Sequence, residues 1–289
     1  MIRVGFLFTR LRAEEKYLLE EFEKHPDVEV VRINDGDHFF DINQLPEQVD
    51  VLFERSISYS RGLYISRIFE AHGIPVVNPS IVAERCGDKY ITSQLLAKNG
   101  ISTPRVFMAF DEEPALRAIE TMGYPCVLKP VVGSWGRLLA RVESREMAET
   151  LIEHKATLGV YHQVFYIQEY INKPGRDIRA FVIGDECIGA IYRSSENWIT
   201  NTARGGVATN CPVTGEIAEI CYRAAGAVGG GLLALDLFET ENGFTINEIN
   251  HTMEFRNSIT TTGINIPQKM IEHVLQYALN TSYFSKGDI

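Results

Sequence analysis

The chain has 289 residues, 45% of them hydrophobic and 23% charged, enough material for a substantial core and for two or three subdomains. Its formal net charge of -10 argues against nucleic acid as the main partner, because a phosphate backbone rewards clustered Lys and Arg. No apolar run approaches the roughly 18 residues of a membrane span, and the short run Val4-Gly5-Phe6-Leu7-Phe8 meets Arg10 and Arg12 at once, so the chain reads as cytoplasmic, with no membrane partner.

Residues 2–8 read as a buried strand, 14–24 as an amphipathic helix, and 28–33 and 49–54 as further strands. A helix over 63–72, closed by Gly73, leads to a strand over 74–78. Strands alternating with helices predict a parallel sheet. No GxGxxG follows the first strand, which disfavours a dinucleotide site there. Residues 80–99 read as one helix, stopped by Gly100 and Pro104. A second unit follows, with strands over 106–109 and 126–129 flanking a helix over 113–121. It continues with a strand over 138–142, a helix over 145–154 and a strand over 165–170. Segments 179–183 and 187–193 form a hairpin through Gly184-Asp185. Residues 194–211 are a polar stretch, 215–228 a helix, 266–279 a closing helix, and the residues beyond are a loose tail. The expected α/β architecture divides at 1–90, 91–185, 186–280 and a 281–289 tail.

The five cysteines form no CxxC pair and the histidines show no HxxxH or HExxH spacing, so a zinc site is not expected. The strongest local pattern is ALDLFETENGFTINEIN, a strand, an Asn242-Gly243 turn and a second strand. Glu248 and Asn250, two apart on a strand, share a face, and Asp236 on the partner strand can join them. Two carboxylates and an amide oxygen suit Mg²⁺ better than zinc, and Mg²⁺ held this way commonly completes its shell with nucleotide phosphates.

Upstream, Lys129 ends a strand and Gly133, Ser134, Trp135, Gly136 and Arg137 follow it. Glycines let backbone N–H groups approach an anion, Lys129 supplies a point charge and Arg137 a forked donor. The same stretch also reads as a glycine hairpin with solvated charges. Gln168-Glu169-Tyr170-Ile171 reads as a strand whose backbone can bond an adenine edge, or as an ordinary core strand. Arg176, Asp177 and Arg179 are either a salt-bridged turn or contacts to phosphate and substrate. Residues 197–206 (NWITNTARGG) follow Arg193; Arg193 and Arg204 suit bidentate carboxylate binding and Asn201 suits a phosphate oxygen, with a plain surface loop as the alternative.

Together, CGDK (86–89), KPVVGSWGRL (129–138), QEYINKPGRDIR (168–179), NWITNTARGG and NEINHTMEFRNS (247–258) resemble the ATP-grasp superfamily in its RimK-like branch of carboxylate–amine ligases, nearest the LysX type. The resemblance implies a three-part fold, an N-terminal parallel-sheet domain plus central and C-terminal α+β domains gripping ATP. It implies ATP and two Mg²⁺ ions as cofactors, with Lys89 and Lys129 on phosphates and Gln168 to Ile171 as the adenine hinge. Asp177, Arg179, Arg193 and Asn201 would lie near the nucleotide, and Asp236, Glu248 and Asn250 would hold the metal. Arg193 and Lys129 would be catalytic, Arg193 as the oxyanion stabiliser. The implied reaction activates the C-terminal Glu γ-carboxyl of the carrier protein LysW as an acyl phosphate and couples it to the α-amine of α-aminoadipate. A sister type, ArgX, uses glutamate and carries Gly-Phe where LysX carries Asn-Ser or Asn-Thr; here the pair is Asn257-Ser258, the LysX form. Glutamate or dual specificity, RimK-type glutamylation of another acceptor, and a non-catalytic nucleotide-binding regulator are the competing readings. The resemblance further implies a homo-oligomer, dimer or tetramer. Because the carrier type and this chain are both acidic, docking is expected to use a local basic surface of Arg55, Arg61, Arg67 or Arg193.

Overall fold

The computed structural model describes residues 1–133, 137–200 and 205–284. Its first unit is β1 (Ile2–Phe8), α1 (Ala13–Phe22), β2 (Val28–Asn34), β3 (Val51–Arg55), α2 (Tyr59–Ala71) and β4 (Val76–Val77). The strands form a parallel sheet in the order β2-β1-β3-β4, as the strand–helix alternation predicts. β1 is buried on both faces, which is why it reads as an unbroken apolar run. Phe6, Phe22 and Phe53 meet edge to face beneath α1, with centroids 5.7 to 6.4 Å apart. Phe8 pairs with Arg55, so the segments that follow these two strands leave the sheet on the same edge.

The helix expected over 80–99 is two, α3 (Ser80–Gly87) and α4 (Lys89–Lys98). Asp88 between them is extended, and its carboxylate caps α4 by accepting the amides of Tyr90 and Ile91 at 2.9 and 3.1 Å. The amide of Lys89 donates to the carbonyl of Val131, which sews the start of α4 to the loop after β6 (Cys126–Lys129).

β6 belongs to the central antiparallel sheet with β5 (Val106–Ala109), β7 (Ala140–Val142) and β8 (Phe165–Glu169), in the order β5-β8-β6-β7. Helices α5 (Glu112–Met122) and α6 (Arg145–Thr157) cover one face of it through Ala115, Ile119, Ala148 and Ile152. The C-terminal sheet holds β9 (Arg176–Ile183), β10 (Glu186–Ser194), β11 (Val207–Cys211), β12 (Leu232–Thr240) and β13 (Gly243–Asn250), ordered β11-β10-β9-β12-β13. β9 therefore pairs in the C-terminal sheet, and the expected division at 185/186 runs through the β9–β10 hairpin.

Helix α7 (Gly215–Val228) packs on one face of that sheet; α8 (Arg256–Thr262) and α9 (Ile266–Phe284) follow β13. α9 packs against both α1 and β9, and Met270, Ile271 and Val274 join Phe6 and Phe53 to Phe181 and Leu232 in one core. The first and last units are thus locked together. The first four residues of the expected loose tail continue α9, and 285–289 lie outside the described residues. No helix among the described residues is long and apolar enough to cross a membrane.

Candidate active site

The hairpin of β12 and β13 sets the site. Asp236 pairs with Glu248 and Ala234 with Asn250, so Asp236, Glu248 and Asn250 project from one face. Between Leu237↔Ile246 and Asp236↔Glu248 the register shifts, leaving Asn247 as an extra residue in a β-bulge. The bulge breaks the alternation, and Asn247 and Glu248 both line the same cleft.

Opposite charges face each other across the strands. Asp236 lies opposite Arg179, which grips both its oxygens at 2.8 and 2.9 Å, and Arg193 reaches the same carboxylate at 3.1 Å. Arg193 lies opposite Asp177 and holds it at 2.7 and 2.9 Å, while Lys173 approaches Asp177 at 3.5 Å and Thr200 Oγ1 at 2.8 Å. Burial would raise the Asp236 carboxyl, but the two guanidiniums more than offset it and hold the carboxyl below its ordinary range. Burial likewise opposes the charge of Arg193, and Asp236 and Asp177 overcome that, raising its affinity for its proton. Glu248 is met by Lys89 Nζ at 3.3 Å.

A cleft lies between the central and C-terminal sheets. Lys129 Nζ donates to Gln168 Oε1 at 2.7 Å and to Asn247 Oδ1 at 3.0 Å, joining the two sheets across it. Lys89 Nζ donates to the Gly133 carbonyl at 2.5 Å. Burial drives the Lys129 ammonium down to about 8; Glu248 resists this and Lys89 adds to it. Val127, Leu139 and Phe238 supply apolar lining, and Arg137, Tyr170 and Ile171 stand at the rim. The Glu169 amide is already donated to the Arg105 carbonyl, which leaves the residues after it as the available hinge backbone.

A second cavity opens between the first unit and the C-terminal sheet. The two spaces share Gly133, Arg193, Asp236 and Glu248 as a common wall. Arg179, expected near the nucleotide, lines this second cavity and not the first. Tyr59 forms part of its lining, T-shaped against His251 at 6.2 Å.

Of the expected site residues, Lys89, Gly133, Lys129, Gln168, Asp177, Arg193, Asp236 and Glu248 converge here, with Arg179 and Asn250 on the second cavity. Asn257 and Ser258 begin α8, the first exposed and the second buried, and neither lines either cavity. Ser134, Trp135, Gly136, Asn201 and Arg204 lie outside the described residues. The expected basic docking surface needs correcting: Arg55 and Arg193 are buried in ion pairs with Glu15, Asp177 and Asp236, leaving only Arg61 and Arg67 exposed, paired with Asp35 and Glu84. Asn247, Lys173 and Phe238 were not singled out from the sequence; Asn247 was hidden by its place beside Glu248, where strict alternation puts it on the other face.

The donor set fits a hard cation. Asp236, Glu248 and Asn250 offer only oxygen ligands, and Asn250 Nδ2 is buried without a partner among the described residues, so no bond from that nitrogen fixes its amide. Two lysines and Arg137 beside an apolar slot fit a nucleotide polyphosphate and its base.

An ATP-dependent ligase is the class that this three-sheet fold and double cavity define. Residues 86–274 match the family described as RimK-like ATP-grasp domain, and residues 4–85 match the LysX preATP-grasp domain. The chain belongs to the RimK-like ATP-grasp family, which uses ATP and typically Mg²⁺. It is 35% identical over 271 residues to the alpha-aminoadipate–LysW ligase LysX of Saccharolobus solfataricus, covering 92% of this chain and 98% of that protein. It is 34% identical over 277 residues to the glutamate–LysW ligase ArgX of Sulfurisphaera tokodaii, covering 94% and 98%. A RimK domain ATP-grasp protein from Sphaerobacter thermophilus has the same fold, with a TM-score of 0.82 at 24% identity over 94% of this chain and 99% of that one.

Proposed function

We propose that this chain joins the α-amine of α-aminoadipate to the γ-carboxyl of the C-terminal glutamate of a LysW-type carrier protein. The observation that carries the reading is the wall shared by the two cavities. A ligase of this kind must bring a phosphoryl donor, a carboxylate and an amine to one point, and Arg193, Asp236 and Glu248 face both spaces.

ATP would supply the phosphoryl group that turns the carboxylate into an acyl phosphate, and two Mg²⁺ ions held by Asp236, Glu248 and Asn250 would offset the charge of that transfer. Lys89 and Lys129 hold phosphate oxygens from the nucleotide side. The amine then attacks the acyl carbon, phosphate departs, and the amine gives up a proton to solvent. Arg193, at the junction, stabilises the oxyanion that forms on the way. Arg179, which faces only the second cavity, orients the acceptor. Asn201 would assist at the phosphates, and Asn257-Ser258 would bias the choice of acceptor through the start of α8. Glutamate as acceptor is the second reading, favoured by the comparable identity to ArgX. Cytoplasmic placement and a dimeric or tetrameric assembly belong to the same reading.

The test is an intact-mass assay on a purified LysW-type carrier with ATP, Mg²⁺ and each amino acid. The expected result is a carrier heavier by one aminoadipate residue, with one ADP released per residue added. A carrier that gains no mass with either amino acid overturns the reading.

A further inference from the structure

The second cavity carries guanidinium groups at two separate places. Arg179 and Arg193 share Asp236 on the wall common to both spaces. Arg12, on the turn between β1 and α1, lines the part formed by the first unit. Its position follows from the register: β1 and β3 run parallel with Phe8 beside Arg55, so residues 9–12 and 56–59 emerge together. The amide of Ile57 donates to Thr9 Oγ1 at 3.0 Å, tying the two turns to each other.

Arg12 has two carboxylate partners of unequal standing. Glu15 takes its Nε and Nη2, each at 2.9 Å, and is fully buried against Arg55 as well, at 3.1 Å. Glu254 takes Nη1 at 2.8 Å from the segment after β13, has a side chain 33% exposed, and lines the same cavity. Removing Glu15 from the pair would strand a charge in the interior, whereas Glu254, a third exposed, is the less costly of the two to displace. A ligand carboxylate entering the cavity can therefore take the place of Glu254 on Arg12. Ser56 lines the same space, its buried Oγ near the Glu54 carboxylate but without a hydrogen bond of ordinary geometry. A hydroxyl left so is stabilised by any acceptor that reaches it.

We propose that Arg12, helped by Ser56, binds the distal carboxylate of the acceptor amino acid, so that the stretch of cavity between Arg12 and the Arg193 wall measures side-chain length. This rests on the ligase reading and names the group that selects a dicarboxylic acceptor. An amino acid with an uncharged side chain leaves the Arg12–Glu254 pair closed and gains nothing at that end.

The experiment measures, by calorimetry on the full chain with Mg²⁺ and a non-hydrolysable ATP analogue, the binding of α-aminoadipate and of its distal amide. The wild-type chain is expected to favour the acid by roughly tenfold or more, the worth of a charge-assisted contact. Arg12→Gln should erase that ratio by weakening the acid alone. If Arg12 only clamps the two units together, acid and amide weaken equally, the ratio survives, and the proposal fails. Glu254→Gln gives an independent reading should the Arg12 variant not fold. Freed of its competitor, Arg12 should bind the acid more tightly; unchanged or weaker binding overturns the assignment. The carrier is absent from these measurements, so a carrier that gains no mass counts against the ligase reading and leaves the ratio as evidence on Arg12 alone.

Discussion

Lys129 is buried at the end of β6, and its ammonium loses its proton near pH 8 because burial outweighs the pull of Glu248. Its charge is present below that pH and fades above it, and on the proposed reading nucleotide phosphates need the charge. We expect kcat/KM for ATP to bend downward as pH passes through about 8, with the bend displaced upward in kcat, where bound phosphates favour the proton. Lys129→Arg should remove the bend, since a guanidinium stays charged throughout. The stability sign is opposite: between about 8 and the unfolded value of 10.5 the unfolded chain holds the extra proton, so stability rises with pH while nucleotide capture falls. Lys129, Asp236 and Glu248 were legible in the sequence because each sits on a strand beside a turn or loop signal. Lys173 and Phe238 were not, because what brings them together, a loop lysine 5.0 Å from a ring centroid on β12, is a tertiary contact without local pattern.

The break between α3 and α4 does more than interrupt a helix. Gly87 ends α3 where an added Cβ would fall 2.0 Å from Cε2 of Tyr59, a separation no side chain tolerates. Gly87→Ala should push the Tyr59 ring into the second cavity and raise KM for the acceptor amino acid by roughly tenfold, by a loss of about 1.4 kcal/mol, while KM for ATP changes little. The double variant with Tyr59→Ala should recover part of the loss, and steady-state kinetics on both substrates decides it. A single helix over 80–99 was the reasonable reading, since apolar spacing continues across the break; the stop is made by the capping carboxylate of Asp88 and by the pairing of 88 with 132. β11 was read as polar stretch because it is an edge strand with little buried side chain, so no alternation marks it. The α8 turn was missed for its shortness, seven residues opened by no capping side chain.

The parallel sheet of the first unit, the β12–β13 hairpin and the closing helix could all be read along the chain, because each has its own period. The joining of the first unit to the last could not, since α9 meets α1 and β9 only in three dimensions. Glu54 lies at that joint, accepting the Ser56 amide at 2.6 Å and Thr252 Oγ1 at 3.4 Å. Burial lifts its carboxyl to about 7 against the opposing Ser56 bond and Arg55. The raised value means the folded chain holds a proton that the unfolded chain has released, so its contribution is full below about 4.5 and is lost as pH rises through 7. Glu54→Gln keeps an acceptor for Ser56 and abolishes this dependence. Thermal unfolding should show little difference between variant and parent at pH 4.5 and a gain for the variant at pH 8, up to roughly 3 kcal/mol.

The run Arg179, Asp236, Arg193, Asp177, Lys173 alternates in sign across the sheet, each charge answered by its neighbour. A bare divalent ion approaching Asp236 competes with two guanidiniums already seated there. The same ion arriving with phosphates would offer Arg193, which faces the nucleotide cleft, somewhere else to go. On the proposed reading, such an arrangement would favour the metal–nucleotide complex over the free metal, and would tie the loading of one ligand to the presence of the other.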